Sequence, residues 1–256
     1  LTGDLNANLQ GTTLETLSGP FSILLRESRF RQQALDRVRL DGSFAAGQVR
    51  FDLEGDVPGA SLTAQGSARP FGDVPSFQVS GTARDVNLGR LLPASNQTAQ
   101  LAGDFAVVGR GKTLDTFTGT AALSLGQAAF ALGANSLELA SADLDADIRN
   151  GVVDFDTDAV LANRGGRLIA SGDVVLGSDP LQYSISRGVL DQFDVSAITG
   201  NPDQASALTG TFTLNGTGID PETARIQLDA TLRNSRFGTY DLVAVDADAT
   251  LDGGQL

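Results

Sequence analysis

Cysteine, histidine, methionine and tryptophan are all missing from this 256-residue chain, and lysine occurs once, at Lys112. Without Cys or His, and with a single Lys, most nucleophile and base arrangements are removed. The lack of thiols fits an oxidising compartment and equally a cytosol that has no use for them. Basic residues are few: 18 against 31 acidic ones, a net charge of −13. That balance argues against nucleic acid as a partner, because phosphate binding needs an excess of Lys and Arg. No apolar run approaches eighteen residues, so the chain contains no helical membrane span. There is no initiating Met and no signal peptide, so any targeting or anchoring segment is expected outside it. Two Tyr and no Trp leave the aromatic load to 13 Phe, and the interior is expected to be aliphatic. The same shortage disfavours an outer-membrane barrel, which needs aromatic girdles.

What the chain has in quantity is glycine, 30 residues against 8 prolines, the composition of short strands joined by tight turns. It also repeats itself. LTGDLNANLQG (Leu1–Gly11) is followed by LAGDFAVVGRG (Leu101–Gly111) and LTGTFTLNGTG (Leu208–Gly218), with starts 100 and 107 residues apart. TLETLSG from Thr13 and TLDTFTG from Thr113 follow the first two copies. DVNLGRLLPASN from Asp85 and DVSAITGNPDQAS from Asp194 close the modules. A period near one hundred exceeds that of the usual solenoids and implies a multi-strand module. The expected units are 1–100, 101–207 and a truncated 208–256, one continuous structure read as a piece of a longer array.

Within each module, apolar residues fall on every second position, which in an extended chain puts them on one face. Phe21, Ile23 and Leu25 do so, as do Val49, Phe51 and Leu53, and, across the hairpin at Asn150-Gly151, Leu144, Ala146 and Ile148 against Val153 and Phe155. Short helices or loops are expected only at the module ends, near Leu88–Leu92 and after Asp194. The alternation amounts to some twenty strands, all-β, in an antiparallel sheet with one wet and one dry side. The dry side closes on itself as a sandwich or barrel, or its arms stay apart as an open trough.

The chemical motifs read as surface. Asp143, Asp145 and Asp147, then Asp154, Asp156 and Asp158, lack the glycine that a calcium loop needs at its sixth position and alternate with Leu144, Ala146 and Phe155, so they form a solvated face. Arg26, Arg29, Arg31, Arg37 and Arg39 alternate with Phe30, Val38 and Leu40 and read as an outer face rather than a phosphate rim. Gly109-Arg110-Gly111 opens no convincing helix, so a dinucleotide site is not expected. A pair of carboxylates acting on a glycan stays open on composition alone. No cofactor and no enzymatic role are expected.

The three undecamers, the TLETLSG and TLDTFTG followers and the DVNLGRLL-type module ends resemble the repeats of AsmA/TamB-like proteins of diderm bacteria, over essentially the whole chain. The resemblance implies a periplasmic bridge anchored in the inner membrane, its strands forming a long U-shaped sheet, the β-taco, around an apolar channel for phospholipid acyl chains. It also implies a tie to outer-membrane protein assembly through a BamA-like partner, made by a part outside this chain. It carries no catalytic motif. On that reading the inward side chains line the groove: Leu5, Leu9, Phe21, Ile23, Leu25, Val49, Phe51, Phe105, Leu123, Leu125, Leu144, Ile148, Phe155, Phe212, Leu228 and Val245. The competing expectation is that they pack a filled core in a structural or adhesive β-array with protein partners on its outer face.

Overall fold

The computed structural model describes residues 2–13, 15–30, 33–87, 99–132, 135–163, 165–218 and 223–253. The segment Leu88–Leu92 and Arg31 lie outside them. Fifteen strands follow one another in a single sheet, each hydrogen-bonded to its neighbours in sequence, and the sheet does not close. No helix among the described residues is long and apolar enough to cross a membrane. The chain divides into two compact units, Leu1–Ala128 and Ala129–Leu256.

The first unit holds β1 (Gly3–Ala7), β2 (Gly19–Phe30), β3 (Gln33–Ala45), β4 (Gln48–Val57), β5 (Ala60–Arg69), β6 (Ser76–Asn87) and β7 (Ala99–Arg110), with the division falling inside β8 (Thr118–Leu132). The second holds β9 (Asn135–Arg149), β10 (Val152–Leu161), β11 (Arg167–Val175), β12 (Gln182–Phe193), β13 (Ser206–Thr217), β14 (Arg225–Phe237) and β15 (Tyr240–Asp252). Turn chemistry sets the hairpins: Asn150 (φ 53°) and Gly151 (φ 82°) supply the two positive φ values of a type I′ connection between β9 and β10. After Asp194 a single helical turn, α1 (Ser196–Thr199), ends on Gly200 in the left-handed region.

Among the described residues fifteen strands stand where the alternation suggests about twenty. The pattern breaks at Ala140–Ala142, so Asn135–Arg149 reads as two strands, yet it is one. A bulge against Val160/Leu161 shifts the register there, and an extra residue reverses which face each later side chain takes.

The repeat is structural. Thr13 and Thr16 close their turn with paired hydroxyls 3.0 Å apart and a Thr16 N–H donated to the Thr13 carbonyl at 3.1 Å. Thr113 and Thr116 make the same two contacts at the same distances. The glycine of each LxG motif meets the same obstacle. A Cβ on Gly3, Gly103 or Gly210 would lie 2.2, 2.2 and 2.1 Å from the carbonyl oxygen of Leu24, Ser124 and Thr231, in each case 21 residues further on. No side chain fits so close an approach of neighbouring strands, so the motif spells glycine in all three copies.

Candidate functional site

Directly paired residues in an antiparallel ladder share a face, so the registers assign every strand's sides. In the first unit one row runs Leu5, Ile23, Leu40, Leu53, Ala64, Gly81, Phe105. The row beside it runs Ala7, Phe21, Gly42, Phe51, Gly66, Val79, Val107, and on the other flank stand Gly3, Leu25, Val38, Gly55, Leu62, Ala83 and Gly103. A fourth row contains Phe44, Val49, Ala68, Phe77 and Gly109. Gly103 abuts Leu125 and Gly109 abuts Gly119, a register that sets Leu123 opposite Phe105. Leu9 lies just past β1, one residue before the Gln10–Ser18 bridge that continues the β1–β2 register.

The second unit is built alike. Its rows are Ile148, Val153, Val174, Tyr183, Gly216, Ile226, Leu251; then Ala146, Phe155, Gly172, Ile185, Leu214, Leu228, Ala249; then Leu144, Thr157, Ala170, Gly188, Phe212, Ala230, Ala247. Leu168, Leu190, Gly210, Leu232 and Val245 complete the face. Within each unit, therefore, the side chains of these rows share one side of the sheet.

Aromatic rings floor this face in a way the alternation alone does not announce. Phe21 lies over Gly42, Phe51 over Gly66, Phe117 over Gly109, Tyr183 over Gly216 and Phe212 over Gly188, each ring 2.2–2.9 Å from where a Cβ would sit. A ring laid across a bare glycine covers backbone that would otherwise be wet. Phe44 and Phe117 belong to this floor, with ring centroids 5.2 Å from Phe21 and 6.2 Å from Phe77. Neither is among the residues expected to line the face; the signal for Phe44 is Leu40-x-Gly42-x-Phe44, in which the glycine keeps the period of two.

The face is not packed away. Among the described residues the buried apolar side chains are mostly alanines, joined by Leu161 and Phe193, and no large side chain is fully buried. Leu5, on the edge strand, is 69% exposed, Leu9 is exposed, and the other predicted lining residues are half-buried. The accessible surface is 15972 Å². Two separate globules sharing the 26.5 kDa mass would expose roughly 12,900 Å². The excess is what one-sided sheets leave uncovered.

The opposite face is polar and acidic. Asp143, Asp145 and Asp147 stand directly opposite Asp158, Asp156 and Asp154, on the side away from Leu144 and Phe155. Arg167 pairs with Asp158 and holds its carboxyl below the usual range. Arg39 does the same for Asp41 at 2.5 Å, and Arg26 reaches Asp4 at 3.4 Å. Asp229 faces Asp248, and sharing a hydrogen bond with that carboxylate raises its pKa, with lost hydration and repulsion adding to the rise. Among the described residues no three acidic side chains converge to hold a metal ion. Apolar exceptions on this side include Leu24, Val108, Val160 and the facing pairs Val152–Val175 and Ile169–Val189. Two concavities have mixed linings: one of about 640 Å³ includes Arg50, Asp52, Gln65, Ser67, Ala106 and Val108, and one of about 590 Å³ includes Asp173, Ser184, Asn215, Gln227, Val175 and Ile226.

No family model matches this chain, and neither the curated proteins nor the solved structures provide a match.

Proposed function

We propose that this chain is a non-catalytic segment of a periplasmic lipid conduit, its apolar face carrying phospholipid acyl chains between the inner and outer membranes. One observation carries the reading: four adjoining rows of aliphatic and aromatic side chains occupy one side of the sheet in each unit and remain half-exposed. Such a face is costly in water. An acyl chain gains about 0.8 kcal/mol per buried CH₂, so a sixteen-carbon tail laid on it is stabilised by on the order of ten kcal/mol. With no charged group in these rows and smooth ring-over-glycine contacts, the tail is held without a fixed register and slides. The U-shaped β-taco, the inner-membrane anchor, the support of outer-membrane protein assembly and the BamA-like partner belong to the same proposal and rest on the repeat resemblance.

The test is lipid extraction and mass spectrometry on the purified chain, beside Leu123→Arg and Phe155→Arg. Phospholipid is expected with the unchanged chain, and each variant is expected to keep its strand content by circular dichroism while losing most of the lipid. A lipid-free chain whose variants unfold would defeat the proposal. The second reading, an array whose outer face meets other proteins, is favoured by the two concavities of mixed lining.

A further inference from the structure

The connections after β1, β3, β5 and β7 all leave the first unit at the same rim of its sheet, as the antiparallel order requires. Exposed apolar side chains gather there. Among the described residues of this unit, Leu9, Phe71, Val74, Phe77, Val108 and Leu114 are large apolar side chains left exposed, and Leu5 is the only other. All six lie in these connections or within three residues of a strand end beside them. Single apolar side chains on a surface are ordinary; a group of them on one rim marks an interaction site.

Two of the loops are built to hold their apolar residues outward. In residues 70–75, Pro70 and Pro75 bracket Phe71 and Val74, fixing φ and removing two N–H donors that would otherwise need a partner. Phe71 is 41% exposed and Val74 58%. In residues 111–117 the Thr113–Thr116 hydroxyl pair and the Phe117 N–H, donated to the Leu114 carbonyl at 3.2 Å, close a tight turn. Leu114 stands at its tip, 42% exposed. The Gly111 N–H, donated to the Pro75 carbonyl at 3.0 Å, ties the two loops together. Behind them the apolar face runs out to the same rim, where the rings of Phe77 and Phe117 lie with centroids 6.2 Å apart. Arg69, Arg110 and Lys112, all exposed, stand at the bases of the loops.

We infer that this rim of the first unit docks on a lipid bilayer surface, with Phe71, Val74 and Leu114 entering the acyl boundary and Arg69, Arg110 and Lys112 level with the headgroups. A protein partner would have to match separate tips in shape, whereas a fluid apolar medium admits each without matching. Charge narrows the kind of surface. Glu15, Asp73 and Asp115 on the same connections offset the three cations, and the whole chain carries −13, so apolar insertion holds the rim and a zwitterionic bilayer suffices. The inference stands whether or not the apolar face carries acyl chains.

The absence of tryptophan makes a single introduced indole a clean reporter. The full chain carrying Phe71→Trp is mixed with phosphatidylcholine vesicles, beside a chain carrying Pro58→Trp in the β4–β5 turn at the opposite rim. Emission from Phe71→Trp is expected to shift to the blue and to be quenched by lipid brominated in its acyl chains, and that from Pro58→Trp to do neither. Co-sedimentation with the vesicles is expected to fall about tenfold when Phe71→Asp, Val74→Asp and Leu114→Asp are combined. That variant keeps its strand content by circular dichroism, because all three side chains are exposed. An unshifted Phe71→Trp, equal shifts at the two rims, or a triple variant that sediments like the unchanged chain would overturn the inference.

Discussion

Two glycines in similar strands carry very different weight. A Cβ on Gly103 would sit 2.2 Å from the Ser124 carbonyl oxygen, while one on Gly55 would meet only Val38 Cγ2 at 3.8 Å. Gly103→Ala is therefore expected to destabilise by about 2–3 kcal/mol, and Gly55→Ala by no more than about 0.5; urea unfolding of the two variants checks the contrast. The acidic side makes a second prediction at this scale. The Asp229 pKa is raised in the folded chain. A raised pKa means stability that is present below the unfolded value and lost as pH rises through the folded one. Asp248→Asn is expected to raise the melting temperature at neutral pH, with the gain vanishing as the pH falls below the carboxylate range. An equal gain at both pH values would show that the cross-strand repulsion is not its source. Asp194 runs the other way. Burial pushes its carboxyl up, but hydrogen bonds from Ser196 and Ser206 outweigh that and hold it low, so its contribution is lost as pH falls through the folded value.

Among the elements, four of the even-numbered strands share a device at their far ends. Glu27 in β2, Asp85 in β6, Gln192 in β12 and Asn234 in β14 are all left-handed, φ 43–52°, beside a bulge or a serine that plugs it, as buried Ser28 does by accepting the Thr2 N–H at 2.8 Å. A non-glycine residue there is strained by roughly 1–2 kcal/mol, held because the bulge re-aims the chain toward the next connection. Glu27→Gly is expected to stabilise by up to about 1 kcal/mol, Glu27→Val to destabilise by a similar amount, and Ser28→Ala to cost about 1–3 kcal/mol by orphaning the Thr2 N–H; denaturant midpoints rank the three. Strand spans such as Gln48–Val57 and the Asn150-Gly151 turn were legible in the sequence, because period-two alternation and turn residues are local. The bulges were not. An αL glutamate or aspartate looks like any other polar residue until a neighbouring strand shows the register slipping past it, as β7 shows beside Asp85, where the pairing shifts between Ala83 and Val86.

At the scale of the whole molecule, exposed apolar area sets the thermodynamics. A chain that already exposes roughly 3,100 Å² more than two globules of its mass uncovers less on unfolding. Its urea m-value is expected below that of compact proteins of 256 residues, and an ordinary value would mean that the face is covered in solution.

The sequence by itself determined the strand class, the near-hundred-residue repeat and the side of the sheet on which Ile23, Phe51, Phe155 and Leu228 stand, because each follows from contacts within a few residues of chain. Only the tertiary structure decided which glycine lies under which ring, where an extra residue shifts the ladder, and that most of the dry side's large side chains are half-buried. Those outcomes depend on carbonyls and rings carried by the neighbouring strand, commonly 15 to 30 residues away, and strand periodicity contains no term for them.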